Sequence, residues 1–130
     1  MREILFRGKT GKGEWVEGYL FISQEGGCYI LDTNNDGDGG IPIRMFLVKH
    51  KTVGQYTGLT TNGRIFEHDI VTAKFKSNGA RFNFIVKYSN EKGCYVFDNG
   101  SVKVPFCDIR SVRIIGNIHD NPELLKGGAE

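Results

Sequence analysis

Ile70-Val71-Thr72-Ala73-Lys74-Phe75-Lys76, then Ser77-Asn78-Gly79-Ala80, then Arg81-Phe82-Asn83-Phe84-Ile85-Val86-Lys87-Tyr88: the fold is decided here. Both arms alternate with a period of two, the signature of half-buried strands. Val71, Ala73 and Phe75 share one face, opposite Ile70, Thr72, Lys74 and Lys76; in the return arm Phe82, Phe84, Val86 and Tyr88 oppose Arg81, Asn83, Ile85 and Lys87. The Asn78-Gly79 pair reads as a type I′ turn, which needs φ > 0 at both central residues. The segment is therefore a β-hairpin.

Toward the C-terminus, Cys94–Phe97, Ser101–Phe106 and Ile109–Ile115 read as three more strands, with a second Asn-Gly pair at Asn99-Gly100. Connections this short force antiparallel neighbours. Five short strands in succession predict a small closed or half-closed β-barrel of the SH3-like kind. Toward the N-terminus the pattern is looser: Ile4–Arg7, Trp15–Ile22, Cys28–Leu31 and Ile41–Val48 read as strands, with Pro42 at a strand start or edge. The single helical candidate is Asn121–Leu125, with Asn as N-cap, Pro at the first helical position and an acid in the first turn; Gly127 and Gly128 stop it. The chain thus reads as mainly β: an N-terminal β lobe over 1–57, a barrel-like meander over 58–119, and a tail over 120–130 holding one short helical turn.

Composition agrees. Of 130 residues 18 are Gly, roughly twice average usage, and most punctuate the proposed turns. With 39% hydrophobic residues and 17 basic against 15 acidic side chains, the chain is not disordered, and a net charge of +2 advertises no polyanion partner by itself. No apolar run approaches the ~20 residues a bilayer requires, and the N-terminal run is too short for a signal segment, so a cytoplasmic protein with no membrane partner is expected. Cys28, Cys94 and Cys107 form no C-x-x-C and no zinc spacing; they read as buried structural thiols.

Several motifs invite a chemical reading. Gly8-Lys9-Thr10-Gly11-Lys12-Gly13 resembles a phosphate loop, but the first required Gly falls at Glu3 and no helix follows; a β-turn is the better account. Asp32-Thr33-Asn34-Asn35-Asp36-Gly37 matches the first half of a calcium loop, yet the closing Glu position is Ile43, so residues 32–40 read as a solvated loop. Glu67-His68-Asp69 and His119-Asp120 hold acid–base groups, but consecutive strand residues point to opposite faces and do not converge. His50, His68 and His119 have no metal-ligand spacing. No catalytic, cofactor or metal site is expected. The hairpin does gather Lys74, Lys76, Arg81 and Lys87 without an acid. These read either as nucleic-acid backbone contacts or as the solvated outer face of a barrel.

A further set of residues carries a resemblance. Gln55-Tyr56-Thr57-Gly58-Leu59, an Asn62-Gly63 turn and Ile65-Phe66-Glu67-His68-Asp69-Ile70-Val71, followed by Ile114-Ile115-Gly116-Asn117-Ile118-His119-Asp120-Asn121-Pro122-Glu123-Leu124-Leu125, resemble the signature of the YopX family of bacteriophage and prophage proteins. Arg2–Gly8 and Trp15-Val16-Glu17-Gly18-Tyr19 match as well, so the resemblance spans essentially the whole chain. It implies a mostly β, barrel-like protein without a recognised catalytic set, whose signature residues, among them Gln55, Glu67, Asp69, Gly116, Asn117, Asn121 and Pro122, form a structural pattern and not a site. His68 stands where the family has Gly, so φ > 0 is not expected there. Gln55–Leu59 reads as a connector, with Tyr56 and Leu59 as core anchors and Gly54 and Gly58 as bends. The functional expectation is a non-enzymatic accessory protein acting through itself or a phage or host protein, with nucleic-acid binding by residues 74–87 as the alternative.

Overall fold

The computed structural model describes residues 2–32 and 44–125. Strands β1 (Phe6–Lys9), β2 (Trp15–Ile22), β3 (Cys28–Asp32), β4 (Arg44–Val48), β5 (Gly54–Thr60) and β6 (Arg64–Phe66) form one sheet in the order β4-β3-β2-β1-β5-β6. Strands β7 (Asp69–Phe75), β8 (Arg81–Ser89), β9 (Cys94–Asp98), β10 (Lys103–Val104) and β11 (Ile109–Asn117) form a second, in the order β10-β9-β8-β7-β11. The protein is mainly β; helix among the described residues is confined to 3-10 turns at His50–Thr52, Phe106–Asp108 and Pro122–Leu125. The chain forms two compact units, Met1–Tyr56 and Thr57–Glu130.

In the second unit the hairpin pairs antiparallel with Ala73 opposite Phe82 and Lys74 opposite Arg81. The alternation read from sequence holds over most of the hairpin: Val71, Ala73, Phe84, Val86, Phe97 and Ile109 are buried on the inner face, and Phe75 packs edge-on against Phe82 and Phe84 with centroids 5.5 Å apart in each pair. It fails at the ends, where Tyr88 is exposed and Ile70 is buried. The turn differs from the expectation. Only Gly79 (φ 72°) takes positive φ, Phe75 N–H bonds the Ala80 carbonyl, and Asn78 Oδ1 accepts the Ala80 N–H at 2.9 Å. Asn78 shapes a longer loop with its side chain instead of supplying a left-handed backbone.

No closed barrel is present among the described residues: neither edge strand of the second sheet, β10 or β11, pairs with a further strand. The expected strand Ser101–Phe106 shrinks to the two residues of β10 for two reasons. Asn99 Oδ1 accepts the N–H groups of Ser101 and Val102 at 2.9 Å each, tying them into a turn. Pro105 then has no N–H to continue a ladder. A two-residue edge cannot close against the nine residues of β11.

In the first unit, Cys28, Ile30 and Val48 form the buried core, with Phe6, Val16, Leu20 and Val53 packed on it. The sheet curls until Thr10 bridges Val48 and Lys49 N–H reaches the Lys9 carbonyl at 2.8 Å. Gly18 is required by that packing: a Cβ there would lie 1.9 Å from the Leu31 carbonyl oxygen. Two further expectations change. Gln55–Leu59 lies within strand β5, with Gln55 opposite Phe6, although Tyr56 is buried, Leu59 packs on the second unit's core, and Gly58 has φ 89°. Of the three thiols only Cys28 is buried; Cys94 and Cys107 are exposed. Residues 33–43, which include Pro42 and most of the Asp/Asn/Gly loop over 32–40, lie outside the described residues, as do Gly127 and Gly128.

Candidate functional site

The four cations of the hairpin do not share one environment. Lys74 and Arg81 are cross-strand partners on the outer face of the second sheet, and Arg81 Nη1 donates to Thr72 Oγ1 at 3.2 Å. Lys76 lies past the end of β7, on the wall of a cavity beside Phe75 and Phe82. Lys87 is engaged: its Nζ sits 3.0 Å from Asp98 Oδ2. Burial pushes the Asp98 carboxyl up, but the Gly100 N–H at 2.8 Å and the neighbouring Lys87 and Lys103 ammonium groups outweigh it, leaving the pKa below the ordinary carboxylate value.

Strand β11 supplies what the hairpin lacks. Arg110 stands opposite Lys74, and Arg113 opposite Thr72, so Arg110–Lys74–Arg81 forms one cross-strand row with Arg113 beside it. Sequence alternation would put Arg110 and Arg113 on opposite faces. A register shift between them, at Ser111 with φ 54°, brings both to the same face. Lys74, Arg110 and Arg113 make no ion pair with a described residue. Like charges directly opposite one another oppose pairing, so the row costs stability that no described carboxylate returns.

The first unit carries a different surface. On the outer face of β2, β3 and β4, Tyr19, Leu31 and Met45 are aligned across the strands, and so are Phe21, Tyr29 and Leu47. Tyr19 is 51% exposed, Phe21 50%, Met45 51% and Leu47 60%. The rings of Phe21 and Tyr29 lie 6.3 Å apart. Six apolar side chains thus occupy two adjacent rows of a face turned to solvent. The run Tyr19-Leu20-Phe21-Ile22 signals it in sequence, because a strand apolar on both sides is not satisfied by one core.

The histidines do converge, contrary to the expectation from alternation. His68 and His119 pack edge to face with centroids 5.4 Å apart, because both lie in turns and not in strands. His68 has φ 74°, so the position is left-handed after all. Its N–H donates to Val86 O at 2.8 Å and its carbonyl accepts from Ile118 N–H at 3.0 Å, which fixes the backbone there. Its Nδ1 is buried and without a hydrogen-bond partner among the described residues. No group of three or more His, Cys, Asp or Glu with metal-holding geometry occurs among the described residues.

The remaining signature residues hold turns. Thr57 Oγ1 donates to the Ile65 carbonyl at 2.8 Å, and the buried Asp69 accepts the Phe66 N–H at 2.8 Å, while Glu67 is half-buried in the turn between them and His68. Asn117 Oδ1 accepts the His119 and Asp120 N–H groups at 3.0 and 2.9 Å. Asn121 Oδ1 accepts the Asn117 N–H at 3.3 Å and would lie 2.5 Å from a Cβ at Gly116; Pro122 opens the last 3-10 turn.

The sequence profile of one protein family, described as YopX protein, matches residues 5–126. No curated protein and no solved structure matches the chain. No helix among the described residues is long and apolar enough to cross a membrane.

Proposed function

The chain belongs to the YopX family, and from that premise we propose that it is a non-enzymatic accessory protein of a phage or integrated element, a β module that self-associates in the host cytoplasm. One observation carries this reading: the outer face of β2–β4 exposes two aligned apolar rows, Tyr19–Leu31–Met45 and Phe21–Tyr29–Leu47. An aromatic side chain offers roughly 200 Å², so the four half-open residues present on the order of 400 Å² before the rim is counted. That is within the roughly 300–600 Å² of the largest patch on a typical monomer, a patch that is often functional. Two copies placed face to face would remove about 1,000 Å² with their rims, the lower bound for a specific interface. A two-fold arrangement requires only that the patch fit itself, and it carries no charge to oppose doing so. Size-exclusion chromatography with light scattering should show a reversible, concentration-dependent dimer that Leu47→Lys returns to a monomer. A wild-type monomer at every concentration would refute self-association.

A second reading, nucleic-acid binding, is favoured by the Arg110–Lys74–Arg81 row with Arg113 beside it. Adjacent strands lie about 4.8 Å apart, so the row sets cations at intervals that suit a phosphate backbone. Four such contacts would lower duplex affinity about a hundredfold between 50 and 200 mM salt. Arg110→Ala should flatten that slope by about one power of salt concentration, measured by fluorescence anisotropy. Absence of salt-sensitive binding removes this reading.

A further inference from the structure

We propose that the cavity at the hairpin end of the second sheet binds a small planar aromatic ring carrying an anionic group, the chemistry of a nucleoside monophosphate. The cavity has a volume of about 810 Å³, within the range of small-molecule sites. Its apolar wall comes from Phe75, Phe82, Val102 and Val104. The two rings stand edge to face, 5.5 Å between centroids, and their partial exposure leaves aromatic surface for a third ring.

The polar lining selects among flat ligands. Asn78 Oδ1 is taken by the Ala80 N–H, and Asn99 Oδ1 by the Ser101 and Val102 N–H groups. Those bonds fix both amides, so the groups left over are the two NH₂ donors. Lys76 adds an ammonium that makes no ion pair with a described residue. Three donor groups around an apolar wall call for an acceptor-rich, negatively charged ligand. Ser77, Ser101 and Asp108 complete the lining, and the Asp108 backbone carbonyl accepts the Lys76 N–H at 3.0 Å. Adenine bearing one phosphate offers a flat ring to Phe75 and Phe82 and an anion to Lys76. Every residue involved lies in one unit, and the site depends on neither reading given above.

Isothermal titration of the full chain with 5′-AMP, adenosine and a short oligo(dA) strand tests this. AMP should bind saturably and about tenfold more tightly than adenosine. Lys76→Gln should erase that difference, and Val102→Glu should weaken both ligands about tenfold. Lys76 and Val102 are exposed, so neither change threatens the core. A strand that competes with AMP and loses affinity in both variants would identify a nucleotide within a chain as the source; free AMP binding without such competition would identify the mononucleotide. No saturable binding of AMP or of the strand would overturn the proposal. So would equal affinity for AMP and adenosine, or strand binding that both variants leave unchanged in the absence of saturable AMP binding, which would place that strand on the sheet's outer face instead.

Discussion

His68 shows how one residue can satisfy the fold and still strain it. The turn between β6 and β7 holds position 68 left-handed, with its N–H committed to Val86 and its carbonyl to Ile118. A side chain at such a φ costs roughly 1–2 kcal/mol. The imidazole recovers part of that by packing on His119. Alanine loses the ring contact and keeps the strain, whereas glycine loses both. His68→Gly should therefore be more stable than His68→Ala by about 1 kcal/mol in urea denaturation; equal stabilities would remove the strain argument. Asp98 makes a second prediction at this scale. Its folded-state pKa lies below the ordinary value, so its stabilising contribution is present above the unfolded value of about 4 and is lost as pH falls through the folded one. Asp98→Asn removes the charge facing Lys87 while Oδ1 can still accept from Gly100. The Lys87 side chain is 47% exposed, so the loss at pH 7 should be only about 0.5–1 kcal/mol. That gap should narrow as pH drops from 5 to 3, and thermal melts of both proteins across that range measure it.

At the scale of elements, period-two alternation was the most legible signal. It puts Val71, Ala73 and Phe75 on one face, and the bounds of β2 match its apolar run residue for residue. The register, Ala73 opposite Phe82 and Lys74 opposite Arg81, is shifted by the longer loop from what a two-residue turn would set. Chain reversals were less legible, because asparagine can make a turn in two ways. Asn78 and Asn99 bend the chain with side-chain carbonyls, and that choice shortened β10 and left the second sheet open. The basic row was half legible for a related reason. Lys74 and Arg81 follow from alternation, but Arg110 and Arg113 share their face only through the irregularity at Ser111. No residue type in Ile109-Arg110-Ser111-Val112-Arg113 marks a bulge; Gly would have. The left-handed turn at Glu67-His68-Asp69 is hidden for the same reason, since a non-glycine residue masks the position. The cavity was not legible at all: it joins residues up to 33 positions apart, Phe75 through Asp108, around a loop whose shape the asparagines set.

At the scale of the molecule, the two units differ in how well each satisfies its own sheet. Among the described residues the second unit's core cluster holds seven buried apolar side chains, including Phe84 and Phe97, whereas the first's holds three, Cys28, Ile30 and Val48. A sheet apolar on both faces needs a layer on each, and the first unit's outer face is solvent-exposed at Tyr19, Phe21, Met45 and Leu47. If a second copy supplies that layer, association and stability of the first unit are linked. Each tenfold rise in concentration above the dissociation constant then favours the dimer over its separated chains by about 1.4 kcal/mol. The expected result is local. Backbone amides of β2, β3 and β4 should exchange with deuterium faster than those of β7 and β8 in dilute solution, and should slow as protein concentration rises. The β7 and β8 amides should not respond. In Leu47→Lys the concentration dependence should vanish while the slow exchange of β7 and β8 persists. Protection of β2–β4 that stays the same over a hundredfold range of concentration would show that the first unit needs no partner layer, whatever occupies its outer face.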